Sequence, residues 1–308
     1  LANLKSTPIV LLPLSTMTMR TNRLLIKVDK EFLPQIKDRY PFLYLERGRL
    51  EVDDSSVKWI DSDGRVIPLP IATIESILLG PGTSITHEAI KVLAMVNCMV
   101  SWVGEDSLLY YAVGQTPTQN TRNLIKQLSL YSDPKKRQKI AQKMFSFRFP
   151  SDVVNNKTIK ELMGLEGIRV KNLYYELAAK YDVLWRGRNY KPGEFQVSDL
   201  TNKCITVCNT ALYSLITACV NSMGLSPKIG FIHSGSPLPF VYDIADLYKA
   251  EFSFDLAFSI TKEMAGVYLA ERLRTAFVQR VIDKRLLERI PKDISSILEL
   301  KNDSSNHE

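Results

Sequence analysis

Residues 108–128 read Leu-Leu-Tyr-Tyr-Ala-Val-Gly-Gln-Thr-Pro-Thr-Gln-Asn-Thr-Arg-Asn-Leu-Ile-Lys-Gln-Leu, and the hydrophobic period changes inside them. Up to Val113 the chain is a β-forming run of strand length. After Gly114, residues 115–120 are rich in Thr, Gln, Pro and Asn, and Leu124, Ile125 and Leu128 then return at helical spacing. The switch predicts an α+β protein: a strand-rich N-terminal domain over residues 1–114, a linker over 115–120, and an all-α C-terminal domain over 121–308.

Working back toward the N-terminus, short β-forming runs occur at 23–28, 42–46, 49–53, 57–60 and 66–69, and they predict an antiparallel sheet system. Asp63-Gly64 marks a hairpin turn because glycine accepts the positive φ that tight turns need, and Arg47-Gly48 suits a similar connection. One helix interrupts the strands. Thr86 is its expected N-cap, Glu88 lies in its first turn, and Ala89, Ile90, Leu93 and Ala94 form its apolar face. Strands at 99–103 and 108–113 follow, joined at Gly104-Glu105-Asp106.

Working toward the C-terminus, Pro134 suits a helix start, since its missing N–H costs nothing in the first turn. A helix over about 199–223 carries Ile205, Leu212, Leu215 and Ile216 and ends at Gly224. Another is expected over about 262–289, stopping before Pro291. Residues 301–308 are polar and are expected to fray.

The 308 residues are 45% hydrophobic and 24% charged, the composition of a folded protein with room for two domains. Lys and Arg exceed Asp and Glu by 40 to 33, a formal +7 that suits a polyanionic partner without identifying one. Cys98, Cys204, Cys208 and Cys219 lack the paired CxxC spacing of a zinc or redox site, so buried, reduced thiols and a cytoplasmic location are expected. The apolar run at 8–14 is too short to span a bilayer and is broken by Pro13, so no membrane anchoring is expected.

The chemistry concentrates in three segments: Leu165-Glu166-Gly167-Ile168-Arg169, Gly230-Phe231-Ile232-His233-Ser234-Gly235, and Phe240-Val241-Tyr242-Asp243-Ile244-Ala245-Asp246. Asp243 and Asp246, three residues apart, share one face of a helix, about 4.5 Å apart along its axis. Their neighbours Tyr242, Ile244, Ala245 and Leu247 make that helix largely buried, so something positive must offset the two charges. His233 can supply a neutral imidazole, and carboxylates with one imidazole suit Mg2+ or Mn2+. Each residue also has an ordinary use: Glu166 can pair with Arg169, Asp243 can cap a helix, and His233 can bond within its loop. His87 and His307 take the ordinary reading outright. Spacing alone leaves both sets of uses open.

These same segments, with Arg-Gly-Arg-Asn-Tyr-Lys-Pro at 186–192, resemble the CRISPR-associated protein-one family, the integrase subunit of spacer acquisition, and most resemble its type I-E branch. Gly80-Pro81-Gly82-Thr83, Ser101-Trp102-Val103-Gly104-Glu105 and Tyr111-Ala112-Val113-Gly114-Gln115 extend the likeness into the N-terminal half, and Lys30 to Tyr40 looks like an insertion. The resemblance implies a catalytic helical domain in which Glu166, His233 and Asp246 hold a divalent metal, with Asp243 an accessory carboxylate of the same site. It further implies a homodimer that joins CRISPR-associated protein two, binds double-stranded protospacer DNA and inserts its ends into the repeat array.

The chemistry suits that implication, since a cation can neutralise charge on a phosphate attacked by a 3′-hydroxyl, or by water in a nuclease. Arg169, Lys171, Arg186, Arg188 and Lys249 are candidates for holding DNA phosphates. Tyr190, Tyr213 and Tyr242 are candidates for orienting DNA or a nucleophile, with aromatic packing as the other reading. The basic run Lys135, Lys136, Arg137, Lys139 and Lys143 spreads around a helix and reads first as a solvated face. A catalytically silent DNA-binding scaffold and a general repair nuclease are the competing functions.

Overall fold

The computed structural model describes residues 34–53, 56–104, 110–114, 121–155, 157–188, 199–263 and 269–300. The apolar run at 8–14, the expected strand at 23–28, Glu105 and Asp106, the linker at 115–120, Tyr190 and the tail at 301–308 lie outside the described residues.

The first part of the chain forms β1 (Tyr40–Leu45), β2 (Gly48–Asp53), β3 (Ser56–Asp61), β4 (Val66–Pro68), β5 (Ile74–Leu79), β6 (Thr83–Ile85), α1 (His87–Met95), β7 (Met99–Val103) and β8 (Tyr110–Gly114). Two four-stranded sheets result, ordered β1-β5-β7-β8 and β4-β3-β2-β6. Antiparallel hairpins join β2 to β3, β3 to β4 and β7 to β8, but Arg47-Gly48 makes none: with Arg47 at φ of 55° it carries the chain from β1 into the other sheet. Between β3 and β4, Gly64 has φ of 79° and the Asp61 carboxylate accepts the N–H groups of Asp63 and Arg65. Thr86 caps α1, accepting from Ala89 N–H at 3.2 Å.

An all-antiparallel system is not what forms, because β1 and β7 both run parallel to β5, and β6 runs parallel to β2. The reason lies in β5, Ile-Glu-Ser-Ile-Leu-Leu, which is buried at every position and so shows no alternation. Strands covered on both faces read as continuous runs, and parallel neighbours need long crossovers. The hairpin sheet supplies one crossover, from β1 to β5, and β6 with α1 supplies the other, from β5 to β7.

Helices follow as α2 (Arg122–Ser132), α3 (Pro134–Phe145), α4 (Ser151–Val154), α5 (Ile159–Tyr181), α6 (Leu200–Ser222), α7 (Pro239–Ala245), α8 (Asp255–Glu263), α9 (Leu269–Asp283) and α10 (Leu286–Leu298). A π-helical turn, Ala250–Phe254, leads into α8. Asp133 caps α3 with Pro134 in its first turn. On α2 the apolar spacing misleads: Ile125 and Leu128 are 64% and 50% exposed, whereas the polar Gln127 is fully buried.

The expected single helix over 262–289 does not run through to its far end, since α9 stops at Asp283 and α10 starts at Leu286, while residues 264–268 lie outside the described residues. Arg285 breaks the chain in the left-handed region with φ of 51°, and Pro291 lies inside α10 rather than beyond its end. Burial of Leu286, Leu287, Ile290, Ile294, Ile297 and Leu298 along one face outweighs the single backbone hydrogen bond that Pro291 cannot donate.

The hub is α6, buried almost all round, with Ile205, Leu212, Leu215 and Ile216 fully enclosed. It is long and apolar enough to cross a membrane, but here it is a core helix. All four cysteines are buried free thiols, three of them on α6. Phe42, Leu78 and Val103 from the first sheet join this helical core, and Phe42 meets Phe277 of α9 at 6.0 Å between ring centroids.

Candidate active site

Three elements around α6 bring the chemical side chains together. The first is α5, whose start is fixed by a capping box: Thr158 accepts from Glu161 N–H while the Glu161 carboxylate accepts from Thr158 N–H. Two turns in, Glu166 is held in a fork by Arg169, whose Nε and Nη2 each lie 2.9 Å from one carboxylate oxygen. Arg148, just beyond α3, approaches the same carboxylate at 3.6 Å with its side chain only 5% exposed. Among the described residues its Nε and Nη1 have no hydrogen-bond partner.

The second element is the loop before α7. Buried Gln127 donates to the carbonyls of Ser226 and Ile229 and accepts from Ser226 N–H. Arg137 donates to the Phe231 carbonyl at 2.9 Å. Gly230 lies so close to the start of α7 that a Cβ there would sit 2.7 Å from Pro239 backbone carbon, and Gly235 has φ of 74°. This tight path delivers His233.

The third element is α7 with its C-terminal turn. Asp243, 0% exposed, accepts backbone N–H groups from Phe231 (2.5 Å), Ile232 (3.1 Å) and His233 (2.9 Å), and lies 2.8 Å from His233 Nδ1. An ionised carboxylate only accepts, so Nδ1 carries the proton, and in the neutral ring Nε2 keeps its lone pair. Nε2 points toward Asp246, 3.9 Å away, and the other Asp246 oxygen accepts from Lys249 at 2.7 Å. The three-residue spacing predicts two carboxylates on one face of a helix, and the resemblance makes Asp243 the accessory one. The structure divides them, with Asp243 bracing the loop and His233 from behind and Asp246 facing the cavity.

The charges tune one another. The hydrogen bond to Asp243 raises the His233 pKa, burial opposes it, and Asp246 adds to the rise. For Asp246, burial pushes upward, but Lys249 and Arg148 outweigh it and hold the carboxyl below its ordinary range. Burial likewise disfavours the Lys249 ammonium, yet Asp246 and Tyr213 keep its pKa raised.

Glu166, Arg169, Arg188, Asp246 and Lys249 line one cavity of about 250 Å³, together with Val170, Tyr174, Asn209 and Phe254. Arg188 donates to the Asn202 carbonyl and side chain and to Thr206. Tyr242 is half-buried, its ring 5.0 Å from that of Tyr213 and 6.2 Å from that of His233. Lys171 and Arg186 are exposed.

The model of the family described as CRISPR associated protein Cas1 matches residues 43–149 and 147–281. The CRISPR-associated endonuclease Cas1 2 of Chlorobaculum tepidum is 56% identical over 283 residues, covering 92% of this chain and 96% of that protein. The chain belongs to the Cas1 family. Its curated relatives are CRISPR-associated endonucleases, and it is an enzyme of that class. The crystal structure of a TtCas1–DNA complex is 33% identical with a TM-score of 0.75, over 86% of this chain and 94% of that one. A Cas6-RT-Cas1–Cas2 complex, 16% identical with a TM-score of 0.66 over 87% of this chain and 35% of that one, shares the fold.

Ligand atoms on one Mg2+ at about 2.1 Å lie at most about 4.2 Å apart. The 3.9 Å between His233 Nε2 and Asp246 Oδ2 meets that limit. Oxygen and imidazole donors are the right kind for Mg2+ or Mn2+. Among the described residues no three His, Cys, Asp or Glu side chains are closed into a metal cluster, since Glu166 turns onto Arg169 and Asp246 onto Lys249. His233 Nε2 and Asp246 thus meet the distance and the donor chemistry of a shared ion, and Glu166 lines the same cavity as Asp246. Arg148, Gln127 and Arg137 are the contributors that sequence reasoning missed, because nothing near them in the chain announces their partners.

Proposed function

We propose that Glu166, His233 and Asp246 hold one divalent cation, Mg2+ or Mn2+, and that this Cas1 uses the site to insert protospacer DNA into a CRISPR repeat. The observation that carries this reading is the bare Nε2 of His233, aimed at Asp246 beside the cavity that Glu166 lines. When bound, the cation supplies neutralisation of charge developing on the phosphate oxygens. Asp243 fixes the imidazole, while Arg169, Arg188 and Lys249 engage phosphates, with Lys171 and Arg186 extending the basic surface. Tyr242 and Tyr190 orient the DNA. In the transfer step a 3′-oxygen of incoming DNA bonds to phosphorus, the bond to the repeat's own 3′-oxygen breaks, and that oxygen leaves as a hydroxyl. Water in place of the 3′-hydroxyl gives cleavage.

The partners proposed are double-stranded DNA, a second copy of this chain, and Cas2. The formal +7 charge and the DNA bound by TtCas1 support the first, and the resemblance to the type I-E branch supports the others. The four buried, unpaired thiols suit the reducing cytoplasm. The test compares strand transfer by wild type and His233→Ala with Cas2 and Mn2+. Transfer should fall by at least about 100-fold. A fully active variant would overturn the ligand set, DNA binding without any wild-type transfer would favour a scaffold, and cleavage blind to the repeat would favour a repair nuclease.

A further inference from the structure

The cavity carries more positive than negative charge before any ion arrives. Two carboxylates, Glu166 and Asp246, face three cations, Arg169, Arg188 and Lys249. Arg169 occupies both Glu166 oxygens at 2.9 Å, and Lys249 occupies one Asp246 oxygen at 2.7 Å. Arg169 and Lys249 are only 27% and 18% exposed, so their charges are poorly screened. Adding a divalent ion would leave the cavity at a net of three positive charges unless anions enter or cations withdraw. DNA phosphates do both, attracting basic side chains and neutralising them.

We infer that Arg169 and Lys249 are displaceable internal counter-ions: they cover the metal-binding carboxylates in free protein, and DNA phosphate draws them away so that metal and DNA bind with positive coupling. Arg148 makes the exchange workable. It is a buried positioning residue with unfilled donors, 3.6 Å from Glu166, and it holds one carboxylate oxygen when Arg169 leaves, so the other can face the ion. A metal site gated this way loads on DNA rather than in free protein, which restrains cleavage without a correctly held substrate. The inference rests on the ligand set proposed above.

The experiment measures Mn2+ binding to the full chain by calorimetry, alone and with a saturating duplex whose 3′ ends are dideoxy and cannot transfer. His233→Ala with the same duplex serves as blank for Mn2+ held by DNA itself. In wild type, DNA should tighten Mn2+ binding at least about tenfold, and Mn2+ should tighten DNA binding, read by fluorescence anisotropy at constant ionic strength, by the same factor. Arg169→Gln should bind Mn2+ several-fold more tightly than wild type without DNA and show a smaller coupling factor. A wild-type coupling factor of one overturns the inference without any variant, and so does a folded Arg169→Gln whose DNA-free Mn2+ affinity is unchanged or weaker. If His233→Ala binds Mn2+ as wild type does, the ligand set itself has failed. If it loses binding while the coupling is absent, only the counter-ion mechanism has failed.

Discussion

Replacing Asp243 by Asn changes one atom of a fully buried side chain that takes hydrogen bonds from four donors. Oδ2 serves Phe231 and Ile232, and Oδ1 serves the backbone and ring of His233. An amide has one oxygen, so its NH2 must face either the first pair of donors or the second. Hydrogen bonds to charged groups contribute about 1.5–3 kcal/mol each, and losing two is partly offset by no longer burying a charge. A net loss of about 3 kcal/mol follows. At roughly 2 cal/mol/K of unfolding entropy per residue, a chain of this length should melt about 5 °C lower. Calorimetric melts of wild type and variant measure this, and Mn2+ titration adds a second readout, because an NH2 facing Nδ1 moves the ring proton to Nε2 and abolishes the ligand. If Tm moves by less than about 1 °C and Mn2+ affinity holds, the argued role of Asp243 is wrong.

Glu75 on β5 is fully buried, and burial pushes its pKa up to about 8 against the pull of Arg39, 3.6 Å away, and of Ser222. Its folded pKa exceeds the unfolded one, so its contribution is intact below about pH 4.5 and is lost as pH rises toward 8, by at most about 3 kcal/mol at pH 7. Glu75→Gln should flatten that pH dependence in urea unfolding, and a variant that keeps the wild-type slope refutes the assignment. Gly230→Ala should lower Tm and strand transfer together, because a Cβ meets Pro239 and Phe240 backbone atoms at 2.7 and 2.9 Å and pushes the His233 loop off α7. Unchanged transfer would show that the loop tolerates the shift.

What was legible in the sequence was local. The Asp63-Gly64 turn, the Thr86 cap and the Pro134 helix start each act within four residues, and each forms as expected. The parallel arrangement around β5 was not legible, since uniform burial removes the alternation that marks a strand's faces. Gln127 hid for the opposite reason. Its polar side chain reads as solvent-facing, yet it is buried because the loop before α7 offers it two carbonyls and an N–H about 100 residues away.

The site divides along the same line. Glu166 with Arg169 and Asp246 with Lys249 sit one helical turn apart, and both pairs form as hydrogen-bonded ion pairs. The ordinary use of these carboxylates and their proposed use as metal ligands are therefore two states of the same atoms. Short-range pairing can be read from spacing, and it describes the free protein. Arg148 and the loop that aims His233 come from distant parts of the chain, and only the fold shows them. The proposed exchange of partners therefore falls on residues paired across one turn of chain, while residues brought in from across the fold set where it would happen.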